Sequence, residues 1–181
     1  MRRALKLHPE SSSLAAMSIE VEIARPCCDR LTLYYVVTGR IDALRLPQPA
    51  SPARSDRLWQ HTCFEAFLRA PPAEGYYEFN FAPSLAWSAY RFGAYRAGMA
   101  EASELSEPQL LAQSSCERYR FEAALQLGAA PLLPSDAAWR VGVSAVIEET
   151  SGGKSYWALA HPPGKPDFHH ADCFALELPP A

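Results

Sequence analysis

The sequence predicts an all-β protein, a two-sheet antiparallel β-sandwich of about ten strands. Apolar and polar residues alternate over many short segments, as in strands with one buried face. Turn residues separate these segments, and 16 prolines against nine glycines disfavour long helices. The 181 residues, 49% of them hydrophobic, suit one core of ordinary size. We therefore expect a single domain over residues 1–181.

The first third of the chain favours an antiparallel hairpin followed by a loop. Residues 17–23 alternate strictly, and residues 31–37 are β-branched and aromatic after a Pro-Cys-Cys-Asp turn. Residues 46–57 contain three prolines and are expected to form a loop.

The middle of the chain predicts a three-stranded meander over residues 62–69, 76–81 and 87–92. A turn at residues 70–75, with two adjacent prolines and a glycine, joins the first two strands. Pairing the ends of this turn fixes the register of both strands.

That register brings polar side chains together on one face. If Arg69 pairs with Tyr76, Glu65 lies opposite Asn80 and the next outward residue is Glu78. The other face of these strands is apolar and aromatic, as a sandwich core requires.

The second half of the chain continues the β pattern after a polar excursion. Residues 101–117 lack clear periodicity and have room for a short helix. Residues 119–127 alternate strictly, residues 139–147 and 155–160 predict a hairpin, and residues 173–178 predict the last strand.

Composition excludes several classes of partner. The net charge of −3 gives no basic surface for nucleic acid or an anionic membrane. No run approaches the roughly 20 apolar residues of a membrane helix, and the basic start of the chain lacks the apolar stretch of a secretory signal. Five cysteines, none in a C-x-x-C pair, fit reduced thiols. We expect a cytoplasmic protein.

The polar face is the first candidate site. A buried acid such as Glu65 beside Asn80 is costly unless a partner satisfies it. Sugar hydroxyls, water or the guanidinium of Arg91 on the next strand could do so. The alternative is a solvent-exposed sheet face with an ordinary ion pair. Glu65 and Glu78 could also act as a glycosidase pair, which needs carboxyls roughly 5–9.5 Å apart, but nothing else in the sequence supports catalysis.

Tryptophans supply the second candidate. Rings on loops or concave faces stack on flat ligands, and Trp59 and Trp157 are placed to do this. Trp59 is balanced between ligand contact and core packing, whereas Trp87 and Trp139 are expected in the core.

The third candidate is the proline-rich segment 161–173, which contains three histidines, two aspartates and a cysteine. Such residues can bind a metal, but their spacing matches no strong signature. We interpret the segment as a rigid loop and expect no metal.

Three motifs resemble bacterial DOMON-like domain proteins, which look related to family-nine carbohydrate-binding modules. They are LWQHTCFEAFL at 58–68, YEFNFAPS at 77–84 with WSAY at 87–90, and PDFHHADCFAL at 166–176. The resemblance spans about residues 4–178. It implies a DOMON-type, jelly-roll-like sandwich that binds sugars or haem, usually without catalysis.

The resemblance also implies roles for particular residues. Trp59 and Glu65 have the six-residue spacing of a sugar-clamping Trp and its Glu. Trp157 resembles the second clamp and Arg91 a sugar-contacting arginine. Haem-binding relatives ligate iron with a Met and a His, for which Met99 and His161 could be proposed.

The leading hypothesis is a non-catalytic domain that binds a carbohydrate or cell-wall-derived sugar and needs no cofactor. Its ligand-binding residues would be Trp59, Glu65, Asn80, Arg91 and Trp157. The alternatives are a haem-binding redox module and a structural or partner-binding domain. The sequence predicts no oligomeric state.

Overall fold

A computed structural model describes residues 1–181. Short strands and 3-10 helices account for all of its regular structure. In chain order the strands are β1 (Arg2–Ala4), β2 (Lys6–Leu7), β3 (Ala16–Cys27), β4 (Arg30–Gly39), β5 (Ala53–Arg54), β6 (Cys63–Arg69), β7 (Tyr76–Phe81), β8 (Ala86–Phe92), β9 (Ala100–Glu101), β10 (Gln109–Ser114), β11 (Arg118–Gln126), β12 (Trp139–Glu148), β13 (Lys154–Ala158) and β14 (Leu176–Leu178). The 3-10 helices are Ile41–Ala43, Leu58–Gln60 and Ala171–Cys173. No helix has the length and apolar character needed to cross a bilayer.

The strands form two sheets, which confirms the predicted all-β sandwich. The smaller sheet has five strands in the order β1-β3-β4-β11-β10. The larger has nine, seven of them in the order β2-β13-β12-β6-β7-β8-β5. Strand β14 pairs with β12 and β9 with β8 at its margins. Pairing is antiparallel throughout, except for two residue pairs between β5 and β8.

The main core lies between the facing surfaces of the two sheets, as the alternation predicts. Phe64 of the large sheet stacks on Phe121 of the small sheet, with ring centroids 5.0 Å apart. The hydroxyl of Tyr35 crosses the sandwich and donates to the backbone carbonyl of Glu65 at 2.8 Å. Trp139 and Trp87 are both buried here, which confirms their expected core positions.

A second, smaller core covers the outer face of the large sheet. Its members are Phe67, Tyr76, Tyr90, Phe92, Val146, Ala158, Phe168 and Phe174. Phe168 and Phe174 come from residues 159–175, between β13 and β14. These residues fold back over the sheet and are called the covering segment below. The outer polar face is therefore only partly open to solvent, and a cavity remains beside this segment.

Three local predictions need correction. Residues 101–117 form no helix but contain the end of β9 and all of β10. Strand β10 lies at the edge of its sheet, and its half-solvated residues give a weak pattern. The 46–57 loop includes β5, where the Arg54 guanidinium lies 4.2 Å from the centre of the Trp87 ring. The last strand starts at Leu176 because the chain is still in the Ala171–Cys173 helix before it. The Cys173 thiol is held there by the carbonyls of the preceding loop.

Candidate ligand-binding cavity

Two neighbouring strands carry the acidic residues of the outer face. Strand β6 holds Glu65 opposite Asn80 of β7, and Phe67 opposite Glu78. This is the register that the turn at 70–75 predicts. Since strand side chains alternate between faces, Glu65, Asn80 and Glu78 all point away from the main core.

A cavity of about 420 Å³ opens over this face. The two acids lie at its base, together with aromatic rings of the second core. Arg96, Phe168 and His169 contribute from the loop after β8 and from the covering segment. The volume falls within the range of small-molecule sites, roughly 300–1,000 Å³.

Glu65 is the most deeply placed polar group of the cavity. Its side chain is 3% exposed, and its Oε2 accepts a hydrogen bond from Ser144 Oγ at 3.1 Å. Burial, together with the nearby negative charge of Glu78, raises the pKa of Glu65 to about 8. Glu65 is therefore largely protonated at neutral pH and can donate as well as accept.

Asn80 supports Glu78 rather than the cavity. Its Nδ2 donates to Glu78 Oε1 at 2.7 Å, and its Oδ1 lies 3.6 Å from the Cys63 thiol. Burial raises the pKa of Glu78, while the Asn80 hydrogen bond and the charge of Arg96 limit the rise. Asn80 is fully buried, so a ligand would meet Glu78 and not the amide.

His169, in the covering segment, lies beside Glu78 and Tyr76. Its Nδ1 lies 2.8 Å from the Tyr76 hydroxyl, and its Nε2 lies 3.7 Å from Glu78 Oε2. Burial and the charge of Arg96 lower the pKa of His169 to about 4, although Asp167 opposes this. The imidazole is therefore neutral. The Tyr76 hydroxyl also accepts from the Arg96 backbone N–H at 3.2 Å, which ties the imidazole to the loop after β8.

Arg96 contributes a guanidinium group to the cavity, but this group already forms an ion pair with Asp167. Its Nη2 and Nε donate to the same Oδ1 of Asp167, at 2.7 and 3.2 Å. The Tyr95 hydroxyl donates to the other carboxylate oxygen of Asp167. Asp167 also accepts from the backbone N–H of His169 at 3.1 Å, so one carboxylate fixes both the arginine and the histidine.

Trp59 lies at the rim of the cavity. It sits in the Leu58–Gln60 helix, is 38% exposed, and its ring centroid lies 6.0 Å from that of Tyr90 in an edge-on arrangement. The Tyr90 hydroxyl donates to Asp56, which ties the loop before Trp59 to the sheet. The indole therefore stands on a fixed support with part of its surface free.

The structure does not bring Arg91 and Trp157 to this cavity. Arg91 lies opposite Tyr77 on the core face, where its guanidinium is 3.3 Å from Glu104, so it cannot be the expected partner of Glu65. Trp157 is 5% exposed and packs in the main core, with its Nε1 donating to Ser155 Oγ at 2.9 Å. In both cases strand parity points the side chain the other way.

The two residues proposed for haem ligation lie in different surroundings. Met99 is half exposed and lines the cavity. His161 is outside the cavity lining, where its Nε2 donates to the Lys6 carbonyl at 2.8 Å and its ring lies edge-on to His8.

Sequence reasoning missed Arg96 and His169 as cavity residues. Arg96 lies in an irregular loop, and its backbone is in the left-handed region, at φ 51°. No strand pattern in the sequence predicts where its side chain lies. His169 was considered only as a metal ligand, and no group of three or more His, Cys, Asp or Glu is placed to hold a metal ion. The motif PDFHH was nevertheless a usable signal, since it supplies Asp167, Phe168 and His169 to one site.

The fold resembles solved structures of carbohydrate-binding proteins. A proposed carbohydrate-binding protein from Bacteroides uniformis ATCC 8492 superimposes with a TM-score of 0.69 at 16% identity, over 96% of this chain and 83% of that chain. A family 9 carbohydrate-binding module from Caldicellulosiruptor kristjanssonii, solved in complex with glucose, gives a TM-score of 0.53 at 10% identity, over 88% and 76%. No protein-family model and no curated protein matches the sequence. At these identities the similarity establishes a shared sandwich fold, and the DOMON assignment stays a prediction.

Proposed function

We propose that the protein is a carbohydrate-binding domain that takes a sugar into the cavity between Trp59 and the acid pair. One observation carries this proposal, namely that a cavity of about 420 Å³ combines a half-free indole at its rim with two buried carboxyls at its base. Sugars present both an apolar ring face and several hydroxyls, so they need this combination of stacking surface and polar groups. The glucose-bound module of similar fold supports the choice of ligand class.

The polar groups of the cavity suit hydroxyl recognition. Glu65 in its neutral form has one donor and two acceptor atoms, and only Ser144 engages it from the protein. Glu78 keeps Oε2 free of a protein hydrogen bond, and His169 Nε2 lies 3.7 Å from that oxygen. Each can exchange a water for a sugar hydroxyl at little cost.

Calorimetric titration of the wild-type protein with glucose and cellobiose tests the proposal. Trp59→Ala should weaken binding about tenfold through lost stacking, and should change the free energy of unfolding by less than about 1 kcal/mol because the ring is partly solvated. Leu111→Ala is the matched control, since Leu111 is 47% exposed on the opposite sheet. A wild-type protein that binds neither these sugars nor their amino and acetamido derivatives would contradict the proposal. A large loss of stability in Trp59→Ala would make that residue part of the core.

A further inference from the structure

Two carboxyl groups share the base of the cavity, and no uncommitted cation lies beside them. Glu65 and Glu78 are 3% and 5% exposed and share this base. The one guanidinium nearby, that of Arg96, is already matched by Asp167 at 2.7 Å. His169 is neutral and contributes a dipole only. The protein therefore accommodates this acid pair with Glu65 protonated, and no cation of its own is free to pair with both groups in their ionised form.

Glu65 also has an oxygen without a protein partner. Ser144 bonds Oε2, and no side chain or backbone N–H bonds Oε1. The neighbouring Tyr35 hydroxyl donates to the backbone carbonyl of Glu65 and not to its carboxyl group. The Cys63 thiol stays neutral, because burial raises its pKa well above the usual value. Glu65 is thus 3% exposed and lines the cavity, and its Oε1 has no hydrogen-bond partner in the protein.

Aromatic rings surround the same space. Phe67, Phe92, Tyr156 and Phe168 all line the cavity, and Trp59 stands at its rim. Aromatic faces attract cations, more strongly when water is excluded. The cavity thus pairs a double acid with an aromatic wall, an arrangement suited to a positively charged group.

We propose that the ligand carries an ammonium group, as an amino sugar does, and that this group lies between the carboxyls of Glu65 and Glu78. This inference rests on the proposed function, since it specifies which sugars bind. The ammonium donates to Glu65 Oε1 and Glu78 Oε2, and the sugar ring lies toward Trp59. When the ammonium form enters, the proton of Glu65 leaves to solvent, so binding near neutral pH releases up to one proton per ligand.

Titration calorimetry with glucosamine, glucose and N-acetylglucosamine tests this near pH 6.5, where a primary amine is charged. Repeating each titration in buffers of different ionisation enthalpy counts the protons released. Glucosamine should bind at least about tenfold more tightly than the other two sugars, and it alone should release protons. Acetylation keeps the nitrogen but removes its charge, so N-acetylglucosamine separates charge from shape.

Variants assign the effect to the acid pair. Glu65→Gln should lower the preference for glucosamine over glucose by at least about threefold, because one of the two carboxyl contacts is lost, and it should abolish proton release. Glu122→Gln, an exposed acid on the other sheet, should leave the preference as in the wild type. If Glu65→Gln fails to fold, Glu78→Gln and the wild-type proton count carry the test.

The outcomes separate the two proposals. Equal affinity for all three sugars would overturn the ammonium site and leave the carbohydrate-binding proposal standing. A glucosamine preference that survives unchanged in Glu65→Gln and Glu78→Gln would also overturn the ammonium site. If none of the three sugars binds, the ammonium site fails, and if cellobiose does not bind either, both proposals fail.

Discussion

The carboxyl group of Glu65 makes the stability of the protein depend on pH in a direction opposite to that of most acids. The pKa of Glu65 is raised from 4.5 to about 8 by burial and by the neighbouring Glu78. Between these two values the folded state holds a proton that the unfolded state has already lost. Stability therefore falls as the pH rises through this interval.

Replacing the acid by its neutral isostere measures the effect directly. Each pH unit in the interval costs the folded state about 1.4 kcal/mol, so the total reaches about 5 kcal/mol above pH 8. Glu65→Gln keeps the shape and an acceptor for Ser144 but does not titrate. The variant should match the wild type near pH 4.5 and become the more stable of the two as the pH rises.

Urea denaturation followed by tryptophan fluorescence, from about pH 5 to about pH 9, gives the required free energies. The quantity to plot is the difference between Glu65→Gln and wild type against pH. Glu122→Gln supplies the background for the same change at an exposed position. A difference that stays flat from pH 5 to 9, within the scatter of the Glu122 control, would refute the argument that burial keeps Glu65 protonated.

Two further predictions concern the segments that frame the cavity and the N-terminus. Gly142→Ala would place its Cβ 2.9 Å from the Cys173 carbonyl oxygen. The variant should therefore shift the covering segment and lower the free energy of unfolding by about 1–3 kcal/mol, measured by thermal unfolding. Gly153→Ala is the control and should be near neutral, because its nearest contact is at 3.6 Å. Glu149 accepts from Leu14 N–H at 2.8 Å and from two further donors nearby; burial opposes this, but the hydrogen bonds hold its pKa below the usual value. Glu149→Gln should therefore lose about 1 kcal/mol at neutral pH, and the deficit should shrink as the pH falls below about 4, where the wild-type acid also becomes neutral; a deficit independent of pH would contradict this.

The local sequence pattern was sufficient to predict the two-sheet fold and the register of one strand pair, β6 with β7. The period of two along residues 62–69 and 76–81, with a compact Pro-Pro turn between them, could be satisfied in only one way without exposing the aromatic face. Glu65 therefore lies opposite Asn80, as expected. The same reasoning failed for Arg91, because the strand continues to alternate and puts that residue beside Tyr77 on the core face.

The sequence predicted only part of the candidate site. The sequence by itself determined the all-β class, the core tryptophans Trp87 and Trp139, and the outward position of Glu65 and Glu78, because hydrophobic periodicity and turn chemistry act between near neighbours. Tertiary structure alone decided that residues after β13 fold over the outer face, that Trp157 packs inward, and that Arg96 and His169 meet the acids. Those contacts join residues far apart in the chain, such as Tyr76 and His169, which are 93 positions apart, through irregular backbone that has no period to detect. The covering segment buries the two acids and thereby raises their pKa values. No local pattern around Glu65 predicts that burial.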